Sequence, residues 1–145
     1  MGKDSEAEMH EKYMEMSDLL DIYLSHFPSF EKYALTNRIR NNCDEIYDHM
    51  VDSQMLFHKK TSLTNMDRFH NRLRMNVMKA FRKGYFKYKD GTETEKSPKE
   101  LEVHRYLTVS LLIDELGRMI GGWIRDEREK ERLREEQKKQ QREVY

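Results

Sequence analysis

Leu111-Leu-Ile-Asp-Glu-Leu-Gly-Arg-Met-Ile-Gly-Gly-Trp-Ile-Arg125 is the stretch whose reading decides the fold. Its apolar residues repeat at helical spacing, so Leu112, Leu116, Met119, Ile120 and Trp123 fall on one face. Each glycine inside a helix costs about 0.5–1 kcal/mol relative to alanine. Gly117, Gly121 and Gly122 therefore need a packing reason. Gly117 and Gly121, spaced i, i+4, form a flank where a second helix can approach closely, from the same chain or a neighbour. Asp114, Glu115, Arg118 and Arg125 exclude a membrane span for this segment.

Outward from this helix, the same periodicity recurs. Met9, Tyr13, Met16, Leu20, Tyr23 and Phe27 predict a first helix over about Ser5 to Ser25, interrupted by Pro28. A second is expected from Pro28–Ser29 to about Lys60, with Leu35, Ile39, Ile46, Met50 and Phe57 on a shared face and Cys43 close by. A third is expected over about Leu63 to Phe86, with Thr61 or Ser62 as N-cap and a stripe of Met66, Phe69, Leu73, Val77, Ala80 and Phe81. The segment 89–97 reads as an exposed loop with a turn at Asp90-Gly91. Ser97-Pro98 then resembles the start of a fourth helix, running through Ile124. Residues 126–143 pair opposite charges at i, i+3 and contain one aliphatic residue, Leu133, so a solvated helical or disordered extension is expected. The expectation is an all-α, antiparallel up-down-up-down four-helix bundle over 1–126, with a charged extension over 127–145.

Composition supports this and narrows the function. The 145 residues include 37% charged and 37% hydrophobic types, and only 2 prolines and 6 glycines, which disfavours a turn-rich β fold. No secretory signal and no membrane span are visible, and the single cysteine suits a reducing cytoplasm. Cys43 reads as a small buried side chain rather than a reactive thiol.

The net charge of zero conceals segregation. Residues 1–27 carry 2 Lys/Arg against 7 Asp/Glu, whereas residues 61–91 carry 8 against 2. On the third helix Arg68, Arg72, Lys79, Arg82 and Lys83 lie roughly opposite the buried stripe. They lead into Arg82-Lys-Gly-Tyr-Phe-Lys-Tyr-Lys89, where cations such as Lys87 alternate with aromatics. Such a surface can neutralise phosphates while Tyr85, Phe86 or Tyr88 stack on bases. It can equally be a solvated face favoured by the helix dipole, with the aromatics packing at a bundle end. Arg38 and Arg40 are candidates to extend the surface, or to pair with Asp44 or Glu45.

Catalytic patterns are missing from the sequence. A di-iron bundle needs two Glu-x-x-His motifs, and the nearest match is Asp67-x-x-His70. The arginine–histidine spacing of HEPN ribonucleases is not met, because Arg40 and His49 lie too far apart. The 6 histidines are scattered without metal-ligand spacing. No phosphate-binding glycine loop or nucleophile–base motif occurs. No enzyme activity, metal or cofactor is expected.

Two segments together carry a family resemblance: Phe27-Pro-Ser-Phe-Glu-Lys-Tyr-Ala-Leu-Thr-Asn-Arg-Ile-Arg40 and Leu112–Arg125. Over roughly residues 12–126 the chain resembles the accessory variability determinant (Avd) proteins of diversity-generating retroelements. These lie within a four-helix-bundle group that includes the 23S rRNA intervening-sequence proteins. The Ser-Asn-Ile-Ala-Glu-Gly-like stretch of the intervening-sequence proteins is absent, which favours the Avd branch. The resemblance implies a non-catalytic homopentamer that binds structured template RNA, RNA–cDNA and a reverse transcriptase during mutagenic cDNA synthesis. By position, Arg38 and Arg40 match the family's Arg-x-Arg, and Arg118 and Trp123 match its Gly-Arg-Met-x-Gly-x-Trp core. Gly117, Arg118, Gly121 and Trp123 are thereby candidates for core or oligomer packing. The alternative is an oligomeric interaction bundle of the intervening-sequence type with no reverse-transcriptase partner.

Overall fold

The structure is a computed structural model and describes residues 2–89, 92–93 and 99–144. It is built from long helices: α1 (Lys3–Ser25), α2 (Leu35–Met55), α3 (Lys60–Arg82) and α4 (Lys99–Val144). A short strand pair, β1 (Tyr88–Lys89) and β2 (Thr92–Glu93), follows α3. The Asp90-Gly91 turn and the Ser97-Pro98 helix start lie outside the described residues. None of the described helices is long and apolar enough to cross a membrane.

Spacings of three and four residues bury Met9, Tyr13, Met16, Leu20 and Leu24 of α1. After Pro28 the chain does not enter α2 directly, as the sequence suggests. It makes a 3-10 turn over Ser29–Glu31, and α2 begins only at Leu35. The Glu31 carboxylate accepts the Leu35 N–H at 3.0 Å and so supplies the cap that Ala34 cannot. The far end of α2 also differs from expectation. Leu56 is extended and the helix stops at Met55, so Phe57 leaves the buried face and is 72% exposed. The Lys59 ammonium donates to the Ser53 carbonyl and closes that end.

The expected cap at Thr61 or Ser62 is likewise replaced. Leu63 N–H already bonds the Lys59 carbonyl at 2.9 Å, which places both residues inside the first turn of α3. Gly84, at φ 78°, ends the run after Arg82 in the left-handed conformation that favours glycine. A further 3-10 turn, Tyr85–Lys87, carries Tyr85 and Phe86 into the core. The fourth helix passes residue 126 without a break. Its 46 residues make it about 69 Å long at ~1.5 Å per residue.

The helices share one core, and their contacts are consistent with a bundle. Tyr13 donates to the Cys43 carbonyl at 2.8 Å between α1 and α2, and Asn76 donates to Asn42 at 2.8 Å between α3 and α2. Lys12 of α1 pairs with Glu115 of α4 at 2.7 Å. Phe81 of α3 stacks on Tyr106 of α4 with centroids 4.2 Å apart.

Gly117 has the packing reason its sequence position demands. His70 of α3, 6% exposed, lies against it and donates from Nε2 to the Ile113 carbonyl at 2.7 Å. A Cβ at Gly117 would sit 2.5 Å from His70 Cε1. Gly121 behaves differently, since a Cβ there would meet only the Arg125 guanidinium at 3.7 Å. Beyond Ile124 the side chains of α4 are almost all exposed. Arg132 bridges Glu129 and Glu136, and the Arg134 guanidinium lies 5.2 Å from the Phe57 ring centroid.

Gly117→Ala is expected to destabilise the bundle by about 1–3 kcal/mol through overpacking. Gly121→Ala should be neutral or stabilise it by up to about 1 kcal/mol through helix propensity. Chemical denaturation of both variants checks the contrast. Deleting residues 127–145 should lower stability by no more than about 1 kcal/mol, the worth of one exposed cation–π pair and a few surface ion pairs. A loss of several kcal/mol would show that the extension is integral to the core.

Candidate nucleic-acid interface

The interface is set by how α3 is rolled about its axis. Its buried residues are Ser62, Leu63, Met66, His70, Leu73, Val77 and Ala80, and its 3.6-residue period turns Arg68, Arg72, Lys79, Arg82 and Lys83 to solvent. Arg38, on α2, is also exposed. Among the described residues, none of these six cations has a carboxylate within 4.0 Å. An unpaired cation keeps its full charge available to an anion, whereas an ion-paired one must first lose its partner.

Four of the six converge on the furrow between α2 and α3. Arg38 and Arg72 line a groove of about 680 Å³ with Asn41, Asn42, Asp44, Glu45, Phe69 and Asn76. A second groove of about 360 Å³ holds Arg38, Lys79 and Lys83 with Glu31 and Tyr33. Arg38 belongs to both. Arg68 and Arg72 each place the guanidinium 5.3 Å from the Phe69 ring centroid. Phe69 also stacks on His49 with an interplanar angle of 11°. The acids along the furrow are partly engaged: Glu45 faces His49 at 3.4 Å, and Glu31 accepts from Leu35 N–H and from Tyr85 Oη.

The remaining candidates separate from this face. Arg40 pairs with Asp21 of α1 at 3.1 Å, on the opposite side of α2 from Arg38. Lys87 is half-buried, with its ammonium 5.9 Å from the Tyr88 centroid. Tyr85 and Phe86 are 7% and 2% exposed and pack against Phe27, so they are bundle-end aromatics rather than stacking platforms. Gly117 and Trp123 lie within the bundle, Trp123 at 1% exposure with the Lys59 ammonium 5.8 Å from its ring. Arg118 is exposed, and the nearby Glu115 pairs with Lys12. Asn42 and Asn76 are groove residues that the charge pattern does not reveal. Their only sequence signal is their polarity in mid-helix.

Among the described residues, no group of three or more His, Cys, Asp or Glu side chains is placed to hold a metal. Cys43 is a buried neutral thiol, pushed up to about 12 by burial and then by the Asp21 and Asp44 carboxylates. Burial also raises its neighbour Tyr13. For a group whose folded value is raised, the stability it adds is complete below the unfolded value and is lost above it. Stability should therefore fall as pH rises from about 9 towards 12. Denaturation midpoints of the wild type and Cys43→Ala over this range should show a shallower decline in the variant. At neutral pH a thiol reagent should label Cys43 only as fast as the protein unfolds.

Comparison of the chain with protein-family models, with curated proteins and with solved structures returns no match.

Proposed function

We propose that this protein is a non-catalytic nucleic-acid-binding bundle of the Avd kind. In this proposal it binds structured RNA and RNA–cDNA through the α2–α3 face and supports mutagenic synthesis by a partner reverse transcriptase. The observation that carries it is the face of Arg38, Arg68, Arg72, Lys79, Arg82 and Lys83, which has no carboxylate partner among the described residues. Phosphate recognition needs such clustered, unpaired cations, and sequence-independent affinity follows from the counterions they release. The Phe27–Arg40 and Leu112–Arg125 segments supply the resemblance to the family.

The proposed arrangement is up-down-up-down and antiparallel. Contacts such as Tyr13–Cys43, Asp21–Arg40, Asn42–Asn76, His49–Phe69, His70–Ile113 and Phe81–Tyr106 support it, since partner numbers fall as residue numbers rise along each helix pair. The working form is a cytoplasmic homopentamer. A second reading, an oligomeric interaction bundle without nucleic acid, is favoured by one feature. Leu107 and Leu111 on α4, at 57% and 56% exposure, and Met75 on α3, at 54%, lie open to solvent.

Replacing Arg68, Arg72, Lys79, Arg82 and Lys83 together by glutamine should weaken binding to a structured RNA at least tenfold. It should also flatten the log K against log salt slope by about 0.7–0.9 for each phosphate no longer neutralised. Unchanged affinity removes the face from the account. Native mass measurement separates the readings. A pentamer that binds RNA supports the proposal, and an oligomer indifferent to RNA at low salt supports the second reading.

A further inference from the structure

The furrow between α2 and α3 has a floor as well as charged banks, and that floor is made of amides. Asn42 is 8% exposed, and its Oδ1 accepts the Asn76 Nδ2 hydrogen at 2.8 Å. This bond uses one polar atom of each amide. Among the described residues, Asn42 Nδ2 and Asn76 Oδ1 have no hydrogen-bond partner. A donor and an acceptor are thus left over at the groove, and neither is among the fully buried unpartnered atoms, so both are open to a ligand from solvent. The edge of a nucleobase presents the complementary acceptor–donor pair, and asparagine amides pair with such edges in two-bond geometry.

The banks differ in sign. The α3 side carries Arg72, Lys79 and Lys83, while the α2 side carries Arg38 at one end and Asp44 and Glu45 further along. Phosphates are attracted to the α3 bank and repelled from the acidic part of the α2 bank. A strand lying in the furrow therefore runs its backbone along α3 and turns its bases inward to the amides. Only an unpaired strand has bases free to do so. A double helix keeps these edges stacked inside and is too wide for a trough between helices packed roughly 8–10 Å apart. From Phe69 to Lys83 the furrow follows about 21 Å along α3, enough for several extended nucleotides.

We infer that this groove is a site for single-stranded RNA or cDNA, with Asn42 and Asn76 reading base edges while Arg38, Arg72, Lys79 and Lys83 hold the backbone. The inference rests on the nucleic-acid reading above and adds to it the strandedness of the ligand and the residues that sense it.

Fluorescence anisotropy on the full chain tests it. The probes are labelled RNA and DNA strands of about 12 nucleotides, within the usual single-strand site sizes. The same strands annealed into blunt duplexes and an abasic strand of equal length complete the set. The wild type should prefer base-bearing single strands to duplex and abasic probes by about tenfold, and comparing the RNA and DNA strands identifies which source the site prefers. Asn76→Ala should abolish that preference while leaving duplex and abasic binding unchanged. Arg38→Gln, at an exposed position, should weaken all strands and lower the salt slope by about 0.7. The Arg38 variant and the wild-type preference remain readable even if the Asn76 variant unfolds. Equal binding of all probes with an unaltered Asn76→Ala profile overturns the groove inference and leaves the basic face intact. No binding of any probe at low salt overturns both.

Discussion

The contact on which the rest of the structure depends is the seat of His70 against Gly117. An α-helix has only its side chains to set its rotation in a bundle, and most apolar contacts tolerate some roll. A hydrogen bond of 2.7 Å from a buried ring to the Ile113 carbonyl does not. It requires α4 to present a residue without a side chain at that point, which is why a glycine is held there despite its propensity cost. With His70 turned to α4, the helical period turns Asn76 to α2 and Arg68, Arg72 and Lys79 to solvent. The basic face and the amide floor of the furrow are thus both consequences of one close approach.

One end of the bundle is closed by aromatics. Phe27, Tyr85, Phe86, Phe81 and Tyr106 form a chain of ring contacts, and Arg105 donates to the Phe86 carbonyl at 2.9 Å. Glu31 ties this end to the start of α2 by accepting from both Leu35 N–H and Tyr85 Oη. Tyr85 and Phe86 therefore serve the core, which leaves Phe69, in contact with His49 and two guanidinium groups, as the aromatic of the basic face. A guanidinium held close to a ring is partly ordered beforehand, so less side-chain entropy is lost when it meets an anion.

Charge is sorted by helix. Of the α1 acids, Glu15 meets Lys12 and Asp21 meets Arg40 of α2, while Lys12 also reaches Glu115 of α4. These pairs engage the cations nearest α1 and leave those of α3 without carboxylate partners among the described residues. Neutral net charge is thus compatible with a strongly basic face, because charges act over about a Debye length of roughly 10 Å rather than over the whole molecule.

By itself the sequence determined the helical class, the buried stripes and the sign of each face, because all three follow from a 3.6-residue period and side-chain polarity. It also carried the need for a close approach at Gly117, since a glycine inside an apolar helix is otherwise unfavourable. Tertiary structure alone decided which neighbour fills that gap. It also decided that Arg38 and Arg40, two residues apart, face different helices and so serve different ends, one in the furrow and one in an ion pair. The boundaries of α2 were settled by a glutamate cap and a lysine closure that no local pattern announces. The pairing of Asn42 with Asn76, 34 positions apart, is of the same kind. Local propensity sets what a segment can form, but partners distant in sequence meet only after the helices have packed.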